Sequence, residues 1–274
     1  MDSKSESSTF GRRLSTMLKV DFHRMLTMPL VYILIACCLL MPIAILVMTS
    51  MMDGTTTTDP ETKEEIPVEG FDNTWQIIGS VSDSSSAGDN SAEAMEMDIV
   101  SMCNINMLYF FIAVLVCVFV AEDFRSGFSK CLFTVRAKKT DYVISKTIVC
   151  FFGGALMILA FFVGAVIGGR IANLPFDMVG FNAFNLVMCI LSKMIIVLVF
   201  IPIYLLMSVI AKQRLWLSLI LSFMVGMFLF MVIPIVTPLN STPMHALLCL
   251  VGGGLFSAGL GAVSNIVLKN TSIV

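Results

Sequence analysis

Residues able to do chemistry are sparse in this chain and far apart. The two histidines, His23 and His245, have no second ligand at metal-binding spacing, and the eight cysteines are scattered without any Cys-x-x-Cys pair. No metal site and no disulfide framework is therefore expected. No Gly-x-x-x-x-Gly-Lys-Ser/Thr stretch is present to cradle phosphates, and no Gly-x-Ser-x-Gly elbow presents a nucleophile. What remains is charge, and it is concentrated. Six of the seventeen basic residues (Arg125, Lys130, Arg136, Lys138, Lys139 and Lys146) fall between Ala121 and Lys146, a charged island between two apolar runs. A second feature is Lys193, alone inside an apolar run, where an ammonium is costly unless it reaches water or a partner. Snorkelling to an interface, contact with a watery cavity and contact with a substrate all remain open for it.

These groups must be positioned by elements that cross a membrane. Hydrophobic residues make up 57% of the chain, charged residues 13%, and mean hydropathy is +0.92, which excludes an ordinary soluble domain. Six apolar runs are long enough, at 1.5 Å per residue, for a hydrocarbon core of about 30 Å. They lie at about 30–52, 101–121, 147–169, 184–211, 215–237 and 245–268. The reading is an all-α integral membrane protein with three parts. Residues 1–28 form a cytoplasmic tail and interfacial amphipathic helix, 29–268 a six-span domain, and 269–274 a cytoplasmic C-terminus. Within the six-span domain, 53–100 is an extracytoplasmic loop and 122–146 a cytoplasmic one. Orientation follows from the positive-inside bias, since fourteen of the seventeen Lys and Arg residues fall on one side. Lys63 and Arg170 fall on the other, and Lys193 lies within the fourth run.

Three soluble segments carry further signals. Phe10, Leu14, Met17, Leu18, Phe22 and Met25 recur at helical spacing among Arg12, Arg13, Lys19, His23 and Arg24, the pattern of an interfacial helix on anionic lipid. In the island, Phe124, Phe128, Leu132 and Val135 make one apolar helical face, with Asp123 or Ser126 as cap. Such a helix could rest on lipid or enter a groove on a partner protein, and a solvated loop is the plain alternative. The 53–100 loop holds twelve acidic residues against one basic residue. It is either a solvated loop or a collector for cationic cargo, and Phe71, Trp75, Ile77 and Ile78 within it could form a small cap.

Glu122, Gly127, Arg136, Tyr142 and Lys146 stand in the order found just after the second span in bacterial type-2 ATP-binding-cassette exporter permeases, and the chain resembles that family over nearly its whole length. The resemblance implies that roughly 124–133 is the coupling helix that docks in the ATPase, with Glu122, Phe124, Arg125, Gly127, Phe128, Leu132 and Arg136 as coupling residues. It implies no cofactor in this chain, and ATP and magnesium on a partner. The partners would be two copies of an ATP-binding-cassette ATPase subunit and a second permease, identical or homologous, with the pore between the permeases. Membrane lipid is a partner and nucleic acid is not. The location would be the bacterial cytoplasmic (plasma) membrane, with both termini cytoplasmic. The cargo would be an amphipathic or cationic (antimicrobial) peptide.

Two other classes compete with this reading. A secondary transporter would show acidic residues well inside its spans or a repeated half, and neither is evident. A non-transporting immunity or scaffold protein has no need of the amphipathic helix and the charged island together. Failure to associate with any ATPase would favour it.

Overall fold

A computed structural model describes residues 3–52, 56–58, 65–67, 71–79, 104–134, 139–178, 180–211, 214–230 and 232–270. The elements are α1 (Ser3–Thr27), α2 (Pro29–Met52), a two-stranded antiparallel ribbon of β1 (Thr56–Thr58) and β2 (Glu65–Pro67), α3 (Leu108–Arg125), α4 (Phe128–Thr134), α5 (Lys139–Ile171), α6 (Ala183–Ala211), α7 (Leu215–Phe230), α8 (Ile233–Val236) and α9 (Pro243–Asn270). Short 3-10 turns at Thr74–Ile77 and Ile105–Met107 precede α2's partner helices in the bundle. Among the described residues, five helices are long and apolar enough to cross a membrane. The fifth apolar run divides into the 16-residue α7 and the short α8, with Pro234 inside the latter. A proline in the first turn of a helix lacks only an N–H that would have no partner there, so Pro234 suits a fresh start rather than continuation of α7.

Helix α3 sits at the centre and packs against α5, α6 and α7; α2 lies outside α5, and α9 lies outside α6. Which face each outer helix turns inward follows from its small or apolar stripe. In α2 the buried residues Val31, Leu34, Cys38, Pro42 and Leu46 step by three and four, one side of a 3.6-residue helix. They meet Gly164 and Gly168 of α5, so the small pair does bring two backbones close together. A Cβ on Gly164 would run into the Leu39 carbonyl oxygen, and one on Gly168 would lie 2.8 Å from Ile43 Cα. In α9, a Cβ on Gly253 would lie 3.4 Å from Leu198 of α6 and one on Gly261 3.7 Å from Val143, ordinary packing contacts, whereas Gly252, Gly254 and Gly259 face open space. Large apolar side chains such as Leu255 (71% exposed) and Phe228 (78%) cover the outer surface, as a lipid-facing wall requires.

At one end of the bundle, residues 71–79 form a cap. Phe71, Trp75, Ile77 and Ile78 are buried, and the Trp75 indole stacks 6.1 Å from Phe162 and donates to the Phe176 carbonyl. Asn73 accepts from the Trp75 amide while its own side chain donates to the Asp177 carbonyl. At the other end α5 begins well before its apolar run, and at 33 residues its length of about 50 Å exceeds the hydrocarbon thickness. The extra turns carry Asp141, Tyr142, Ser145 and Lys146, which matter below.

The α2–α5 contact generates a test. Gly164→Val places a branched side chain against backbone that cannot yield, so the cost should reach the upper part of the 1–3 kcal/mol range typical of overpacking. The thermal unfolding midpoint in detergent should fall by several degrees, whereas Gly259→Val, facing open space, should leave it unchanged. Equal midpoints for the two variants would contradict the close packing.

A candidate coupling site at the basic end of the bundle

The charged island is built on the junction of α3, α4 and α5, and α1 lies across it. At its centre is a buried ionic cluster. Asp21 and Arg24 come from α1, Asp123 from the last turn of α3, and Tyr142, Ser145 and Lys146 from the first turns of α5. Lys146 Nζ lies 2.7 Å from Asp123 Oδ2 and 3.0 Å from Asp21 Oδ1, contacts made as ion pairs off the hydrogen-bonding direction. Arg24 Nη1 donates to Asp123 Oδ1, Tyr142 Oη donates to Asp123 Oδ2 at 2.9 Å, and Ser145 Oγ donates to Asp21 Oδ2 at 2.6 Å. Asp21, Asp123 and Lys146 are fully buried. Two carboxylates thus face two cations, and the charge sums to zero. That balance is what allows the group to remain ionised away from water.

Two aromatic rings extend the cluster. Lys146 Nζ lies 3.6 Å from the Phe119 ring centroid, and the Arg24 guanidinium lies 4.2 Å from that of Phe128. A further pair, Arg13 with Asp141 at 3.4 Å, fastens the earlier part of α1 to the start of α5. Arg24 therefore touches both the buried carboxylate and the head of α4.

The residues named from the island are distributed differently from a single amphipathic helix. Phe124 and Arg125 end α3, and the chain turns at Gly127, whose φ of +73° is a left-handed conformation that side chains rarely adopt. A new seven-residue helix, α4, then begins at Phe128. The expected helix over 124–133 is thus two elements, because the left-handed turn interrupts it. Asp123 caps nothing; it is the buried acceptor of the cluster. Phe124 and Leu132 are partly buried against the core, and Phe128 is partly exposed beneath Arg24. Glu122 and Arg125 are exposed and line a separate cavity between α3 and α7. Arg136 lies outside the described residues, as do most of the acidic loop and Val135.

Lys193 also differs from expectation. It neither snorkels nor faces open water: it is 1% exposed, and its ammonium donates to Asn106 Oδ1 at 2.9 Å and Thr237 Oγ1 at 3.0 Å. Tyr109 Oη donates to the Lys193 carbonyl at 2.8 Å. The lysine therefore ties α6 to the turn before α3 and to the residue that ends α8. Three segments are joined at one buried point.

Asp21 was the residue most easily missed. It lies four residues from Met17 and four from Met25, both buried, and so stands on the apolar stripe of α1. A carboxylate on a stripe that faces inward signals a buried cationic partner, and Lys146 is that partner.

The bundle of spanning helices, with a polar end clamped by an amphipathic helix, defines a multi-pass α-helical membrane protein. A model of the ABC-2 family transporter protein matches residues 75–229, more than half of the chain, and the chain belongs to that family. Members of the family are permeases without ATP chemistry of their own, working with an ATP-binding-cassette ATPase on a separate subunit. No curated protein and no solved structure matched the chain.

The cluster generates a second test. Removing one member of a buried ion pair typically costs about 3–5 kcal/mol, because the remaining charge is left without compensation. Lys146→Met leaves two carboxylates against one cation, and unfolding in denaturant should shift accordingly. Adding Asp21→Asn restores neutrality, so the double variant should be more stable than Lys146→Met alone. If the two losses simply add, the four groups are not one coupled unit.

Proposed function

We propose that the chain is the permease subunit of an ATP-binding-cassette exporter in a bacterial cytoplasmic membrane, with α4 as the element that receives force from the ATPase. The observation that carries the reading is the contact chain from Phe128 through Arg24 to Asp123 and Lys146. A helix of seven residues cannot hold its own conformation in isolation, so its position depends on what it touches. Phe128 is an apolar group that α4 leaves partly exposed, and a push on it is transmitted to α1, α3 and α5 through a cluster that must stay neutral. Gly127 provides the turn and Leu132 anchors the far end of α4 to the core. Glu122, Phe124, Arg125 and Arg136 belong to the margins of the coupling region in this reading.

Two permeases, identical or homologous, would enclose the pore, and two ATPase subunits would bind ATP and magnesium. The fourteen Lys and Arg residues at this end of the spans, against two at the other, support its being cytoplasmic, along with both termini, by the positive-inside bias. The bundle contains the hydrophobic surfaces suited to an amphipathic cargo, and the acidic residues of 53–100 favour a cationic one such as an antimicrobial peptide. Lys193, held by two neutral groups, serves in this reading as a joint between segments rather than as a cargo contact.

Truncating an aromatic anchor at an interface hot spot commonly costs about 2 kcal/mol or more, so Phe128→Ala should weaken ATPase association on the order of thirtyfold. Co-purification and ATP turnover are measured at matched membrane expression, with exposed Thr140→Ala as a neighbouring control. Since the ATPase is cytoplasmic, its loss from Phe128→Ala also fixes which side of the membrane this end occupies. Full ATPase binding and turnover by Phe128→Ala would remove α4 from the docking role.

The cargo reading has its own measurement. Neutralising Glu61, Glu64, Glu65 and Glu69 together should reduce export of a cationic peptide more at low salt than at high salt, because screening shortens the reach of exposed charge. A loss independent of ionic strength would leave the loop with no collecting role.

A further inference from the structure

Between the last two turns of α3 and the first turns of α7 lies a cavity of about 590 Å³, open at the basic end of the bundle. Its polar lining is Arg125, Arg214 and Glu122, and its apolar wall includes Val118 and Ile220, with Trp216 at the rim. Arg125 and Arg214 are exposed, and neither has a carboxylate within ion-pair distance among the described residues. The ionic cluster of α1, α3 and α5 is separate: it uses Asp123, the residue between Glu122 and Phe124, on another face of α3.

We infer that this cavity is a binding site for an anionic phospholipid of the leaflet at the basic end, taking the phosphate between Arg125 and Arg214 and an acyl chain along Val118 and Ile220. Guanidinium groups suit the site because their planar fork pairs with phosphate oxygens in two places at once. The lining charge is one positive in excess after Glu122 is counted, which selects a headgroup of net negative charge over a zwitterionic one. Trp216 is 79% exposed, the placement of an aromatic side chain that sits where hydrocarbon gives way to headgroups. Helix α7 starts at Leu215 on the same side of the cavity, so the positive end of its dipole also favours a phosphate. The apolar wall distinguishes a lipid from a free anion, since inorganic phosphate would leave Val118 and Ile220 uncovered. A lipid held here would bridge α3, whose end carries the coupling turn, to α7. The site stands whether or not α4 docks the ATPase.

The test uses the full chain in a neutral detergent, titrated with phosphatidylglycerol or phosphatidylcholine brominated on the acyl chain, with quenching of tryptophan emission as the readout. The two tryptophans are Trp75 and Trp216, and Trp75 is buried in the cap at the opposite end, so Trp216→Phe supplies the background to subtract. Saturable quenching by the phosphatidylglycerol at lower concentrations than by the phosphatidylcholine is the expected result. The double variant Arg125→Gln with Arg214→Gln should raise the half-quenching concentration for phosphatidylglycerol on the order of thirtyfold, and either single change about fivefold. It should leave the phosphatidylcholine curve unaltered, which also reports that the variant is folded. Equal quenching by the two headgroups, or an unchanged phosphatidylglycerol curve in the double variant, would overturn the site. Displacement of the brominated lipid by millimolar inorganic phosphate alone would overturn the lipid assignment in favour of a free-anion site.

Discussion

The neutrality of the Asp21, Arg24, Asp123 and Lys146 group is the constraint on which the rest of the architecture depends. Four charges in a largely water-free junction are tolerable only while every one of them has a partner, and the partners come from three helices that are distant in sequence. Helix α1 must therefore lie where it does, α5 must extend past its apolar run to deliver Lys146, and α3 must carry Asp123 in its last turn. A geometric requirement on four side chains thus sets the arrangement of an entire end of the molecule.

Through Arg24 the same group touches Phe128, and that contact makes the end of the bundle a mechanical unit. An apolar junction could slide by small increments as side chains repack. Paired charges in a medium of low polarity behave differently, because separating them by a few ångströms is costly and alternative pairings are limited. Such a joint favours discrete positions for α4 and α1, which is the behaviour required of a transporter that alternates between states.

Much of the architecture was legible from the chain alone. Long uncharged runs with a length near that of the hydrocarbon core marked the spans. The division of the fifth run into α7 and α8 was less visible, since Pro234 is compatible with either a kink or a fresh start. The apolar helix expected over 124–133 was misdrawn. Phe124, Phe128 and Leu132 keep a helical period across Gly127, and periodicity carries no information about a glycine's φ; the left-handed turn there divides one apparent face between two helices. Lys193 and Asp123 were visible as charges, yet their partners Asn106, Thr237, Arg24 and Lys146 lie many residues away, where no local pattern reaches.

Helix α7 is held in an unusual manner. Its fully buried residues are Ser218, Ser222 and Gly226, one above another at intervals of four, and Ser222 meets the Cys117 thiol at 3.2 Å. Bulky side chains on a helix act as teeth, so that axial displacement demands that each be lifted out of its socket. Small hydroxyls and a glycine present no teeth on that face, and a hydroxyl that loses one partner can rotate toward another one turn away. The surface between α7 and α3 is thus smooth along Ser218 and Ser222, and its grip comes where Phe110 of α3 meets Phe223 and Phe230, at ring-centroid distances of 5.7 and 5.9 Å, so the axial position of α7 is set toward one end rather than along its whole length.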